Sequence, residues 1–258
     1  MIDSHCHLDL PRFDADRASV LERAWAAGVT ALVVPGVAPA TWEALLSLSR
    51  ADPRLWVGLG VHPQFLAALP ASEDEAVLCR LDSLLGRKEA VAVGECGLDG
   101  PSLAGAPLER QLRMLRGHFE LARKHHLPLI LHCFHAHPAL LALLEDEALP
   151  DTGGVLHSYS GGVDLVKRYA AQGMSFSFAG PISYAGSRKP LASLRAVPPE
   201  RLLAETDAPD QAPTPHRGQR SEPAYVREIL EAMAVALGES MASVTTRTTG
   251  NARRLFQR

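Results

Sequence analysis

Short apolar runs alternate with longer amphipathic segments along the whole chain, the pattern of strands and helices taken in turn. Ile2 to Cys6 opens as a strand, followed by a helix over 16–27 with Val20, Leu21, Ala24 and Trp25 on its apolar face. Asp14 or Asp16 can cap the start of that helix, and Gly28 ends it. Thr30 to Val34 is a second strand, stopped by Pro35-Gly36 and followed by a helix over about 40–50. Leu55 to Val61 is a third, with a helix over about 73–86 behind it, and Ala90 to Gly94 a fourth. The clearest helix covers 108–125, where Leu108, Leu112, Leu115, Phe119 and Ala122 share one face. Leu127 to Leu131, Gly154 to Leu156, Met174 to Phe178 and Leu202 to Ala204 complete a set of eight strands.

Two α/β architectures fit this order. Periodicity does not separate an open doubly wound sheet from a closed barrel, but eight strands within 258 residues favour a single (β/α)8 TIM barrel over residues 1–258. No linker, repeat or low-complexity tract divides the chain. The longest irregular stretches, about 97–107 and 208–222, directly follow strands four and eight, where loops build an active-site mouth.

Composition changes the picture little: 47% hydrophobic and 21% charged residues are ordinary for a globular domain. The polar start, Met1-Ile2-Asp3-Ser4-His5, does not look like an export signal, and no apolar run approaches the roughly 20 residues of a membrane span. A soluble, cytoplasmic protein with no membrane contact is expected, its four cysteines as free thiols. A net charge of −3 argues against a large basic surface, so a nucleic-acid substrate would be held locally, by metal ions and a few side chains.

The chemistry gathers at the strand ends. His5 and His7 close strand one, Glu95 strand four, His132 strand five and His157 strand six, while Asp207 follows strand eight. In a parallel barrel these ends surround one mouth, so residues about 200 positions apart converge. The side-chain period of two puts both imidazoles of His5-Cys6-His7 on one face. Four imidazoles with two carboxylates suit magnesium, manganese or zinc, and six ligands exceed what one open catalytic ion needs. A carboxylate such as Glu95 can bridge two ions, an arrangement that suits displacement at phosphorus. Cys6, Cys96 and Cys133 each follow a candidate ligand, and alternation turns them outward as small packing residues.

At these positions the chain resembles the TatD family of metal-dependent deoxyribonucleases. The matching motifs are Asp3-Ser4-His5-Cys6-His7-Leu8-Asp9, Gly60-Val61-His62-Pro63, Gly94-Glu95-Cys96-Gly97-Leu98-Asp99, Leu131-His132, His157-Ser158-Tyr159-Ser160-Gly161 and Glu205-Thr206-Asp207-Ala208-Pro209. Pro215-His216-Arg217-Gly218, Glu222-Pro223-Ala224-Tyr225-Val226 and Thr249-Gly250-Asn251 also fit, in the family's order along the whole chain. The resemblance implies an amidohydrolase-type barrel that hydrolyses DNA or related phosphodiesters with divalent cations. It also implies that the six residues are ligands, with Asp207 accepting a proton from the attacking water. Gly100 to Leu103 and Cys133 to His137 depart from the family pattern, so substrate contacts there are not carried over.

The remaining histidines have competing readings. His62 either contacts a phosphate or holds the turn made with Pro63, and His216 with Arg217 are candidate substrate contacts. His135-Ala136-His137 lies past a strand end and suits substrate contact or helix capping better than ligation. His118, His125 and His126 read as solvated, near a helix C-terminus. The expected function is a divalent-metal-dependent hydrolase, a deoxyribonuclease with a two-metal mechanism and catalytic Glu95 and Asp207, acting without an obligate protein partner. The alternative is an amidohydrolase or esterase acting on a cyclic amide or acyl substrate. Such enzymes often bridge their metals with a modified lysine, and none of Lys88, Lys124, Lys167 and Lys189 falls at a strand end.

Overall fold

The computed structural model describes residues 1–258 and contains eight strands in parallel pairing, each beside its chain neighbour. They are β1 (Ile2–Asp3), β2 (Ala31–Pro35), β3 (Leu55–Leu59), β4 (Ala92–Asp99), β5 (Leu129–Phe134), β6 (Gly154–Leu156), β7 (Met174–Phe178) and β8 (Leu202–Ala204). The seam between β8 and β1 is stitched rather than open: Ser4 N–H donates to Ala204 O at 3.0 Å, Asp207 N–H to His5 O at 2.9 Å, and His7 N–H to Ala208 O at 2.7 Å. That closure makes the sheet a TIM barrel and removes the doubly wound alternative.

Ten helices surround it: α1 (Arg17–Ala26), α2 (Trp42–Ala51), the single turn α3 (Pro63–Leu66), α4 (Asp74–Leu85), α5 (Leu108–His125), α6 (His137–Asp146), α7 (Val163–Ala171), α8 (Arg188–Ala196), α9 (Val226–Leu237) and α10 (Met241–Phe256). None is long and apolar enough to cross a membrane. Alternation along the strands splits the core in two. Ala31, Val33, Trp56, Ala92, Ile130, Val155 and Leu203 face the barrel axis, where Ala252 and Phe256 of α10 close the lower end. Their neighbours, among them Leu32, Val57, Cys96, Leu131, Phe176 and Leu202, face the helices in a larger outer layer. The outward turn expected of Cys6, Cys96 and Cys133 is therefore found, and all three are buried and free.

Several boundaries differ from the pattern, for physical reasons. β4 does not stop at Gly94 but runs on to Asp99, with a register shift against β5 between Val93 and Cys96. This bulge sets Glu95 and Asp99 inside the barrel while Cys96 and Leu98 face the helices. Gly97 has φ +144°, and a Cβ there would run into the backbone carbonyl of His132. The stretch 97–107 is thus strand plus a short 3-10 turn at Pro101–Ala104, whereas 208–222 carries no helix or strand, as expected. Asp14 and Asp16 do not cap α1: Asp14 pairs with Arg17 at 2.5 Å and Asp16 with Arg220 at 2.7 Å. Side-chain partners offering full charge win over one orphan backbone amide.

His118 is not solvated. It is fully buried on α5, with Val61 N–H donating to its Nε2 at 3.1 Å and Nδ1 donating to Met114 O at 2.7 Å. His125 is half-buried against Asp82 at 2.7 Å, and only His126, the left-handed residue after α5, is exposed. Burial holds His118 down at about 4, against 6.5 for a free imidazole. The unfolded chain takes up this proton at higher pH than the folded one. The residue's contribution is therefore complete above the unfolded value and lost as pH falls towards the folded value, by on the order of 3 kcal/mol. In urea unfolding, the stability gap between wild type and His118→Asn should narrow between about pH 7.5 and about pH 4.5. An equal gap at both would refute a buried neutral imidazole.

Candidate metal centre

Inside the mouth, one carboxylate sits between two groups of imidazoles. Glu95 is 1% exposed and its two oxygens face different partners. Oε2 lies 3.2 Å from His5 Nε2 and 3.3 Å from His7 Nε2. Oε1 lies 2.8 Å from His157 Nε2 and 3.4 Å from His132 Nδ1. Asp207 joins the first group, with Oδ1 3.6 Å from His5 Nε2 and 3.7 Å from His7 Nε2. All six expected ligands therefore meet, although Glu95 and His132 lie within their strands rather than beyond them.

No lysine or arginine pairs with Glu95 or Asp207; every ion-pair partner of either is a histidine. The two Nε2 atoms of His5 and His7 converge at 3.1 Å, and those of His157 and the Nδ1 of His132 at 3.2 Å. Two nitrogen lone pairs aimed at one point suit a shared cation. The electrostatics agree: burial alone would raise Glu95, but His157, His62 and His5 outweigh it and hold the carboxyl well below its ordinary range. Burial likewise opposes a charge on His7, yet Glu95 and Asp207 raise it to about 9. Buried imidazole and carboxylate atoms that lack other partners, with a strong pull for positive charge, fit one or two divalent cations.

A second set of side chains holds the first. Glu205, fully buried, accepts from Ser158 N–H at 2.5 Å and from the Ser177 hydroxyl, and its Oε1 stands 3.7 Å from His157 Nδ1. Asp99 accepts from Gln64 Nε2 at 2.8 Å and Ser102 Oγ at 3.1 Å, with its Oδ2 3.8 Å from His132 Nε2. Asp3 accepts from Thr206 N–H at 2.9 Å and Thr206 Oγ1 at 2.6 Å, and burial lifts its carboxyl to about 8. Gln211 donates to Asp207 Oδ2 and bridges to Ser158 Oγ, leaving Asp207 Oδ1 for the histidines. Strand-end logic passes over these residues because they act through the candidate ligands rather than as ligands themselves. Their signal is a carboxylate within four residues of a ligand in the chain, as in Asp3 before His5 or Glu205 before Asp207.

The residues expected at the substrate separate. His62 does both a turn's work and a ligand's neighbour's: Nδ1 accepts from Gln64 N–H at 3.1 Å, so Nε2 carries the proton and points at Glu95 Oε1, 3.1 Å away. That tautomer makes it a support for Glu95 and leaves no lone pair for a cation. His216 lies flat on Tyr225, centroids 3.8 Å apart, with Nε2 3.5 Å from Glu228. Arg217 covers the Tyr184 ring at 4.5 Å. Neither reaches the histidine cluster. His135 and His137 do not act as a pair: His135 packs on Phe134 at the rim, while His137 Nδ1 is 3.0 Å from Tyr169 OH, among the helices.

The sequence model for TatD related DNase matches residues 2–257. The "3'-5' ssDNA/RNA exonuclease TatD" of Salmonella typhimurium is 34% identical over 266 residues, covering 100% of this chain and 99% of that protein. The "uncharacterized metal-dependent hydrolase YabD" of Bacillus subtilis is 30% identical over 257 residues, covering 100% and 99%. Among solved structures, YJJV, a TatD homolog from Escherichia coli K12, superposes with a TM-score of 0.92 at 31% identity, covering 100% of this chain and 98% of that one.

The support from Glu205 is directly measurable. Glu205→Gln keeps the shape but removes the charge facing His157 Nδ1, so affinity for a cation held beside His157 should fall roughly 10- to 100-fold. Calorimetric titration of metal-stripped protein should show that weakening. Unchanged affinity would deny Glu205 that part.

Proposed function

Because the chain belongs to the TatD-related DNase family, we propose that it is a metal-dependent hydrolase of phosphodiester bonds in nucleic acid, acting through two cations. The observation that carries this reading is the split allegiance of Glu95, one oxygen towards His5 and His7 and the other towards His132 and His157. His5, His7, Asp207 and Glu95 Oε2 would hold one ion, and His132, His157 and Glu95 Oε1 the other. Magnesium, manganese or zinc bound there supplies Lewis acidity, lowering the pKa of water and offsetting charge on phosphoryl oxygens.

The chain's own residues do the rest. Glu95 fixes the spacing of the two ligand groups, and His62 Nε2–H steadies its Oε1. Asp207 is held by Gln211 at Oδ2, so Oδ1 is the atom that takes the proton of the attacking water. Arg217, braced on Tyr184 in the loop after β8, is assigned to a phosphate farther along the strand. His216 is given a packing part, since one face lies on Tyr225 and its Nε2 is near Glu228.

The acyl alternative has less support. A bridging lysine is its usual mark, and here Lys124 pairs with Asp82 on the outer helices while Glu95 occupies the bridging place.

Metal-stripped protein reloaded with each ion and offered single-stranded DNA, duplex DNA, RNA, a simple phosphodiester and a cyclic amide separates the readings. Hydrolysis of the cyclic amide alone would reverse the assignment. With saturating metal, Glu95→Ala should lose both ions, and His157→Ala mainly the one beside His132. Asp207→Asn should lower the single-turnover rate on the order of 100-fold, more than it lowers occupancy. Near-normal rates in Glu95→Ala and Asp207→Asn would leave the two-cation reading without support.

A further inference from the structure

β5 ends on a large aromatic side chain that is partly open to solvent. Phe134 stands two residues beyond His132 on the same face of the strand and is 41% exposed. It lines a cavity of about 320 Å³ together with His132, His157 and Asp207, and with the apolar Tyr159, Phe178 and Ile182. No lysine or arginine lines that cavity. A planar, apolar group therefore fits beside the polar cluster better than a second charged one.

The exposure does not come from a loose loop. Phe134 pairs with Asp99 in the β4–β5 ladder, and Gly100 N–H donates to its carbonyl at 2.8 Å. Its ring meets the His135 ring at 4.1 Å and 64°, and His135 is held in a left-handed turn with φ +52°. Gly100 lets that turn press close, since a Cβ there would stand 3.0 Å from His135 Cβ. A rigid exposed aromatic loses little freedom when a ligand covers it.

We propose that Phe134, braced by His135, is the stacking platform for an unpaired base of the nucleotide whose phosphate lies at the histidine and carboxylate cluster. The proposal rests on the nucleic-acid reading given above and adds how that substrate is selected. Stacking tolerates any base, because every base has a π-face, but needs one released from its pair. The platform thus favours single strands and frayed ends over closed duplex.

The test uses the full-length protein loaded with manganese. Phe134→Ala and Phe134→Leu should raise KM on a single-stranded oligonucleotide about tenfold, with kcat within about threefold, and Phe134→Trp should restore it. An oligonucleotide abasic at its terminal positions should bind wild type and Phe134→Ala equally. A terminal 2-aminopurine should be quenched on binding wild type, and less so on binding Phe134→Leu. Normal cleavage with unchanged KM and quenching in Phe134→Ala and Phe134→Leu would overturn the platform alone. Wild-type protein that cleaves no nucleic acid would overturn the function beneath it, and the platform with it.

Discussion

A charged carboxylate is costly to bury without positive partners, and Glu95 is buried at 1% exposure where no lysine or arginine reaches it. Its compensation comes from five imidazoles, four of which present ring nitrogens able to share a cation and one of which, His62, donates a proton to it. Everything else at the mouth follows from keeping those rings in place around two oxygens. The bulge in β4 aims Glu95 at the axis, and the glycine at position 97 lets β4 and β5 approach closely enough for His132 to arrive beside it.

Imidazoles gathered this tightly need fixing from behind. Glu205 and Asp99 stand behind His157 and His132, and Gln211 holds Asp207 at the oxygen turned away from the histidines. Both carboxylates are themselves buried, and each accepts a hydrogen bond from a different strand or loop, Asp99 from Gln64 and Glu205 from Ser158. The centre is therefore also a seam of the barrel: Asp3 on β1 bonds to Thr206 after β8, where ladder pairing is replaced by side-chain and loop hydrogen bonds. Function and closure share residues, so loss of one of these acids is felt by both.

On the opposite side, α5 reaches the mouth through His118, which accepts the Val61 amide and so sets the turn from which His62 projects. A neutral, buried histidine on a helix thus steadies a histidine at the site. Around this floor stand Phe134 at the end of β5 and the Tyr184–Arg217 pair in the loops after β7 and β8.

Much of this was legible in the sequence. Period-two and period-four patterns set out eight strands and several helices, and chemistry-bearing residues at the strand ends identified all six members of the cluster. Those are local properties, since strand direction and side-chain alternation follow from the residues themselves. What only the tertiary structure decided were matters of partnership. Asp14 and Asp16 look like caps in sequence, but Arg220, some 200 residues away, is a better partner for Asp16. His118 looks solvated beside charged neighbours, yet helix packing turns it onto Val61. His216 and Arg217 sit in the right loop, but Tyr225 and Tyr184 hold them clear of the cluster. A side chain's type is written in the chain; which charge, amide or ring it meets is settled by contacts between residues far apart in sequence, and hydrogen-bond and ion-pair energies depend on those distances.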